Sequence, residues 1–154
     1  MTYRSSTLVP PSVLLVDDEA SFVETLSKRI AKRNLKVSTA LGGSEALDKL
    51  KADGGASNFD VVILDVKMPG MDGLETLAAI KQKHPNMEVI MLTGHATVES
   101  AIEGMKAGAF DYLMKPCDID LLLAKIDRAV VKKREHEEKI LQARAQMIAL
   151  KKGF

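Results

Sequence analysis

Short apolar runs alternate along this chain with longer segments whose apolar residues recur every three or four positions. Val13-Leu14-Leu15-Val16 and residues 35–40, 60–65, 88–92 and 111–114 read as strands, being four to six residues long, rich in β-formers and bounded by turn residues. Between them, Phe22, Val23, Leu26 and Ile30 mark one helix, and Ala46, Leu47 and Leu50 a second with Ser44 as its N-cap. Leu74, Leu77 and Ala78 stripe a third, Val98, Ala101, Ile102 and Met105 a fourth, and Ile119, Leu122, Leu123, Ile126 and Val130 a fifth. Gly42-Gly43, the loop 53–58, Pro85 and Gly108 punctuate the pattern. Five strands alternating with five helices predict an α/β fold, a parallel sheet covered on both faces.

The polar residues that end these strands carry the chemistry. The first strand runs into Asp17-Asp18, the third into Asp65, the fourth into Thr93-Gly94 and the fifth into Lys115-Pro116. In a parallel sheet the carboxyl ends lie side by side, which is where ligands bind in open α/β folds. Carboxylates brought within a few Å of one another repel by roughly 4 kcal/mol per pair at a surface-like dielectric. A hard divalent cation relieves that repulsion, and Mg²⁺ suits a site with few carboxylates because it keeps several waters and shares its shell with phosphoryl oxygens. Mn²⁺ is the alternative ion.

Composition narrows the setting. The chain has 154 residues, 46% of them hydrophobic, enough for one domain with a sizeable core. Its single cysteine, Cys117, forms no internal disulfide and fits a reducing compartment, so the cytoplasm is the expected location. No apolar stretch approaches the ~20 residues that span a bilayer. The net charge of +1 hides an asymmetry: residues 1–131 carry 15 basic against 18 acidic residues, whereas residues 132–154 carry 7 against 3.

An acidic pair, then an Asp, a Thr and a Lys-Pro on successive strand ends, with the loop Asp65-Val66-Lys67-Met68-Pro69-Gly70-Met71-Asp72-Gly73, resembles the receiver domain of two-component response regulators over residues 11–131. The resemblance implies a doubly wound, flavodoxin-like sheet of order 2-1-3-4-5. It implies that Asp65 accepts a phosphoryl group from a sensor histidine kinase or phosphotransfer protein as an acyl phosphate. It also implies that Asp18, Asp65, the backbone carbonyl of Lys67 and, through water, Asp17 hold Mg²⁺. Lys115 would pair with one phosphoryl oxygen and Thr93 with another, Tyr112 would move inward with Thr93 as the switch, and the Lys115-Pro116 peptide would be cis. Lys67 and His95, two residues after Asp65 and Thr93, would flank the path of the hydrolytic water. The remaining histidines, His84 and His136, share no ligand spacing with His95, and the methionines read as packing residues.

The resulting division is a flexible start over 1–10, a receiver over 11–131 and a charged helical extension over 132–154. In that extension Ile140, Ala143, Met147 and Leu150 form one short apolar seam, preceded by Lys133 and His136 at seam positions. Two heptads fall short of a lasting coiled coil. The expected role of the seam is docking on a partner or a weak, phosphorylation-dependent homodimer. The segment is too short for an output domain, and no phosphate-loop motif occurs. The leading expectation is thus a stand-alone response regulator that switches protein–protein contacts, with an unidentified downstream target. The alternative is the receiver portion of a larger transcriptional regulator. An aspartyl-phosphate enzyme is a third class, but those of the dehalogenase type place Asp-x-Asp after the first strand. Nucleic-acid binding lacks aromatic interleaving or a motif.

Overall fold

The computed structural model describes residues 9–52, 54–95 and 97–152. Residues 1–8 of the expected flexible start lie outside the described residues. The strands are β1 (Ser12–Val16), β2 (Lys36–Ala40), β3 (Val61–Leu64), β4 (Glu88–Thr93) and β5 (Asp111–Met114). The helices are α1 (Ala20–Ala31), α2 (Gly43–Lys51), α3 (Gly73–Lys83), α4 (Val98–Lys106) and α5 (Ile119–Lys151). Every strand pair is parallel, in the order β2-β1-β3-β4-β5.

Alternate residues of the central strands feed two cores. Val13, Leu15, Ile63 and Ile90 pack with α1 and α5, and Leu14, Val16, Leu64 and Met91 pack with α2 and α3. A strand buried on both faces must be apolar throughout, which is why β1 and β3 read as unbroken runs. The register then positions the site: Val16 lies opposite both Ala40 and Leu64, so the residues that follow, Asp17 and Asp65, leave the sheet side by side.

Several sequence expectations need correction. Ser44 is not the N-cap of α2; Gly42 is, and the helix has begun by Gly43. A Cβ at Gly43 would overlap the Thr76 hydroxyl of α3, so the bare backbone lets the two helices close. No side chain caps the open N–H groups of α2; Glu45 reaches back instead, its carboxylate accepting the N–H of Leu41, the residue before the N-cap, at 2.9 Å. In α3 the buried face is Gly73, Thr76, Leu77 and Ile80, and Ala78 is exposed. The loop expected over 53–58 contains a 3-10 turn at Gly55–Asn58. The stripe of α4 is not a core stripe: Val98, Ile102 and Met105 are exposed, and Gly104 is the helix's one buried residue. Gly104 sits against the Tyr112 ring and Met91, holding α4 to β5, and the longer apolar side chains face outward. Of the methionines read as packing residues, Met68 and Met91 are buried, whereas Met105 and Met114 are exposed.

The helical extension expected after residue 131 continues α5, which runs as one helix of 33 residues, ~50 Å long at 1.5 Å per residue. Lys132 lies 3.5 Å from Glu88 and over the Phe110 ring, and Lys133 is buried and paired with Glu137. Arg134 clamps Asp60 with two bonds of 3.1 and 3.0 Å and donates to the Val9 carbonyl. Lys132 and Arg134 of the apparent charge run thus hold α5 to the amino ends of the strands. Beyond them Leu141, Met147, Ile148 and Leu150 are exposed. Among the described residues no helix is long and apolar enough to cross a membrane.

Candidate functional site

At the carboxyl edge, Asp17 and Asp65 extend the sheet's hydrogen bonding by one residue, their N–H groups donating to Ala40 at 3.1 Å and Val16 at 3.0 Å. Both side chains are nearly inaccessible, 1% and 3% exposed, whereas Asp18 is exposed. Asp17, Asp18 and Asp65 each bring one carboxylate oxygen to within 4.8 Å of the others. Asp17 Oδ1 accepts the Glu19 N–H at 3.0 Å, and Asp65 Oδ1 accepts the Val66 N–H at 2.8 Å.

Lys115 supplies the counter-charge. Its N–H continues β5 by donating to the Thr93 carbonyl at 2.8 Å, and its peptide bond to Pro116 is cis. The ammonium lies 2.6 Å from Asp17, 3.6 Å from Glu19 and 3.8 Å from Asp65, and 4.0 Å over the Phe22 ring. Burial works against its charge, but the hydrogen bond and charge of Asp17, followed by Asp65 and Glu19, outweigh that and hold the ammonium above the usual lysine range. Asp17 is pushed the other way from most paired carboxylates. Burial, with Asp65 adding to it, raises its pKa despite the Lys115 and Glu19 bonds. One lysine therefore leaves the three-carboxylate cluster undercompensated. Hard oxygen donors with surplus negative charge, one of them open to solvent, fit a divalent ion such as Mg²⁺.

Thr93 is fully buried, and its hydroxyl accepts the His95 N–H at 3.0 Å. Gly94 leaves open space, since a Cβ there would come no nearer than 4.0 Å to the Lys115 side chain. Tyr112, half-buried on β5, places its hydroxyl 2.7 Å from Ser100 of α4. Lys67 and His95 are exposed, as is Pro116. The loop from Asp65 is anchored by buried Val66 and Met68, turns at Gly70 with φ +73°, and closes where the Gly73 N–H donates to the Val66 carbonyl at 2.7 Å. Asp72 caps α3 by accepting the Glu75 N–H.

Reasoning from sequence missed three contributors. Glu19 joins the Lys115 shell, Ser100 partners Tyr112, and Gly73 makes room for the site: a Cβ on Gly73 would overlap the Asp65 carbonyl. Gly73 carried a signal in its place at the start of a helix after a capping Asp. Glu19 and Ser100 carried none, because only the fold brings them to their partners.

Comparison with known proteins agrees with this geometry. Residues 13–127 match the family model of the response regulator receiver domain. The chain is 40% identical over 124 residues to the DNA-binding transcriptional regulator NtrC of Klebsiella pneumoniae, covering 80% of this chain and 26% of that protein. It is 33% identical over 138 residues to the transcriptional regulatory protein ZraR of Klebsiella oxytoca, covering 90% of this chain and 30% of that one. It thus spans between a quarter and a third of the length of these relatives. A response regulator receiver domain protein from Clostridium thermocellum superposes with a TM-score of 0.75 at 35% identity, covering 80% of this chain and 97% of that one. A CheY-like receiver from Methanospirillum hungatei gives a TM-score of 0.76 at 28% identity, covering 83% and 99%. From its sheet order, its acidic strand ends and these matches, the chain belongs to the response regulator receiver domains of two-component systems.

Proposed function

We propose that Asp65 is the phosphoacceptor and that its state controls what the surface of this domain binds. An Asp65 carboxylate oxygen attacks the phosphorus of a phosphohistidine on a kinase or phosphotransfer protein. The P–N bond breaks, the imidazole leaves and takes up a proton, and an acyl phosphate remains. Water later attacks the phosphorus, returning the carboxylate and inorganic phosphate, so that the chain's own chemistry is limited to gaining and losing this group. The observation that carries the reading is the convergence of Asp17, Asp18 and Asp65 with the Lys115 ammonium on one sheet edge.

Asp18, Asp65, the Lys67 carbonyl and, through water, Asp17 would hold Mg²⁺, which supplies charge neutralisation at the transferring oxygens. Lys115 adds a fixed positive charge, and its 3.8 Å separation from Asp65 puts a phosphoryl oxygen on that carboxylate within its reach. Thr93 offers its hydroxyl to a second oxygen, and Tyr112 follows Thr93. The readout face is α4, β5 and the start of α5, where Ile102, Met105, Met114 and Leu121 are exposed apolar side chains suited to a protein partner. Residues 135–151 extend that role by docking or by weak pairing.

Two settings fit. One is a stand-alone regulator in a phosphorelay. The other is the receiver portion of a larger transcriptional regulator, favoured by relatives that are DNA-binding regulators of which this chain spans 26–30%. Whether the native reading frame stops after Phe154 separates them. The chemistry is tested by incubating the parent and Asp65→Asn with a small phosphodonor and Mg²⁺, then measuring intact mass. An acid-labile PO₃ adduct on the parent alone is expected. Equal adducts on both proteins remove Asp65 from the role.

A further inference from the structure

Past residue 139, α5 runs clear of the sheet with an apolar side uncovered. The row by which α5 packs on the sheet, through Ile126, Ala129 and Lys133, is carried on at the same three-four spacing by Ile140, Ala143, Met147 and Leu150. At its inner end the row meets a notch of about 230 Å³, walled by Ala56, Ser57, Pro85 and Met87 of the body and by Lys133 and Glu137 of the helix. Met147 and Leu150 are exposed, and Ile140, Ala143, Arg144, Met147 and Ile148 line a groove along the helix. The stripe is about two heptads long, too short to hold a lasting coiled coil on apolar contact alone. Its flanking charges therefore decide what covers it.

Those charges have one sign. Residues 139–154 include Lys139, Arg144, Lys151 and Lys152 and no Asp or Glu. Lys139 borders the stripe on one side, and Arg144 and Lys151 border it on the other, all three exposed. A second copy laid parallel would set Lys139 against Arg144 of that copy, and one laid antiparallel with the stripes in full overlap would set Arg144 against Arg144. Glu137, the acid nearest the stripe, is already bonded to Lys133. Like charges facing across a seam disfavour such a pairing. A bilayer fits no better. Arg144 and Lys151 stand between the stripe and a second pair of exposed apolar residues, Leu141 and Ile148, whereas a helix lying in a membrane surface keeps its charges opposite its apolar face. A ridge of cations between apolar rows matches a protein helix with carboxylates at its own flanks.

We infer that the extension of α5 is a docking surface for a helix of a different protein, one that carries acidic residues on either side of an apolar stripe. The inference rests on the docking role proposed for residues 135–151 and names the partner's chemistry. The chemistry of Asp65 takes no part in it.

Two synthetic helical peptides of about three heptads serve as probes, identical in their apolar seam and carrying glutamate or lysine at every flanking position. The full chain is expected to bind the glutamate peptide at least about tenfold more tightly than the lysine peptide at low salt, with a gap that narrows as salt rises. Arg144→Glu combined with Lys151→Glu should reverse the preference, and Met147→Gln should weaken the binding of the glutamate peptide. All three positions are exposed and lie beyond the body, so its folding does not depend on them. Arg144→Glu alone turns the Lys139–Arg144 juxtaposition of a parallel copy from repulsive to attractive. That variant should self-associate in sedimentation at concentrations where the parent stays monomeric. Equal affinity for the two peptides, or a preference that the double variant keeps, overturns the acidic partner and leaves docking in place. A parent that binds neither peptide removes the docking reading together with the inference. A parent that self-associates at least as strongly as Arg144→Glu assigns the stripe to a second copy and overturns the inference. Sedimentation of the parent with phosphatidylglycerol vesicles that Met147→Gln loses assigns it to a lipid surface, with the same consequence.

Discussion

Asp17 shows how a single side chain here is held against its own preference. Its carboxylate is buried beside Asp65, and the Lys115 and Glu19 bonds do not fully offset that, so its pKa in the folded chain lies above the usual aspartate range. A carboxyl that holds its proton more tightly when folded makes stability fall as pH rises from the ordinary aspartate range through the raised folded value. Lys115, also raised, acts with the same sign on the alkaline side: its contribution is intact below the ordinary lysine range and lost as pH climbs through the raised folded value. Asp17→Asn keeps an oxygen for the Glu19 N–H and removes the buried charge. Thermal melts without Mg²⁺ should show a midpoint a few degrees higher at neutral pH and no acid-side slope from this group. Added Mg²⁺ should stabilise the variant less than the parent, because binding energy adds to folding only where binding persists. Lys67 and His95, both exposed, flank the proposed water path. Dephosphorylation of Lys67→Ala and His95→Ala should differ from the parent by at least severalfold, and unchanged decay in both would remove them from that role.

Elements meet the site through close backbone contacts. The start of α3 abuts the end of β3 so tightly that a Cβ at Gly73 would overlap the Asp65 carbonyl. Neither side of that contact is a flexible side chain, so Gly73→Ala must shift backbone. Overpacking of this kind costs about 1–3 kcal/mol. Denaturant melts should show that loss, and phosphorylation should slow because the displaced atoms belong to Asp65 itself. The same principle explains where the sequence pattern misread an element boundary. Ser44 has the right chemistry for a cap, but the bare Gly43 lets α2 start two residues earlier, close against Thr76, with Gly42 as N-cap and no side-chain cap bond. In α4 the periodicity was correct and the burial was not. A helix pattern specifies that apolar residues share a face, and the neighbour that covers the face is decided elsewhere.

Across the whole molecule, the chemistry sits at the carboxyl ends of the strands and the clamp on α5 at their amino ends. Lys132 and Arg134 tie the helix to Glu88 and Asp60, so the extension leaves the body in a set direction. Beyond residue 139 the described side chains contribute no ion pair to the body, and Leu141, Met147, Ile148 and Leu150 are exposed. Ending the chain after residue 139 should change stability by no more than about 0.5 kcal/mol, as for surface changes generally. If the extension pairs, sizing chromatography should show concentration-dependent elution for the full chain that the shortened one lacks. Identical elution at all concentrations would leave docking on a partner as the extension's role.

The number of elements and the acids at the carboxyl edge were legible in the chain because they depend on local signals: period-two and period-3.6 apolar spacing, turn residues, and polar groups following buried runs; the strand order came only with the resemblance to receiver domains. Asp17, Asp18, Asp65, Thr93 and Lys115 each stand directly after such a run. The contacts between side chains distant in sequence were not legible. That Lys115 rests on Asp17 at 2.6 Å and stands 3.8 Å from Asp65, that Arg134 reaches Asp60, and that Tyr112 meets Ser100 all follow from how helices settle on the sheet. Sequence by itself determined which residues arrive at the edge, since strand ends are set by local patterning. Tertiary structure decided which atoms touch there, because contact depends on register, helix placement and the space that Gly43, Gly73 and Gly104 leave between elements.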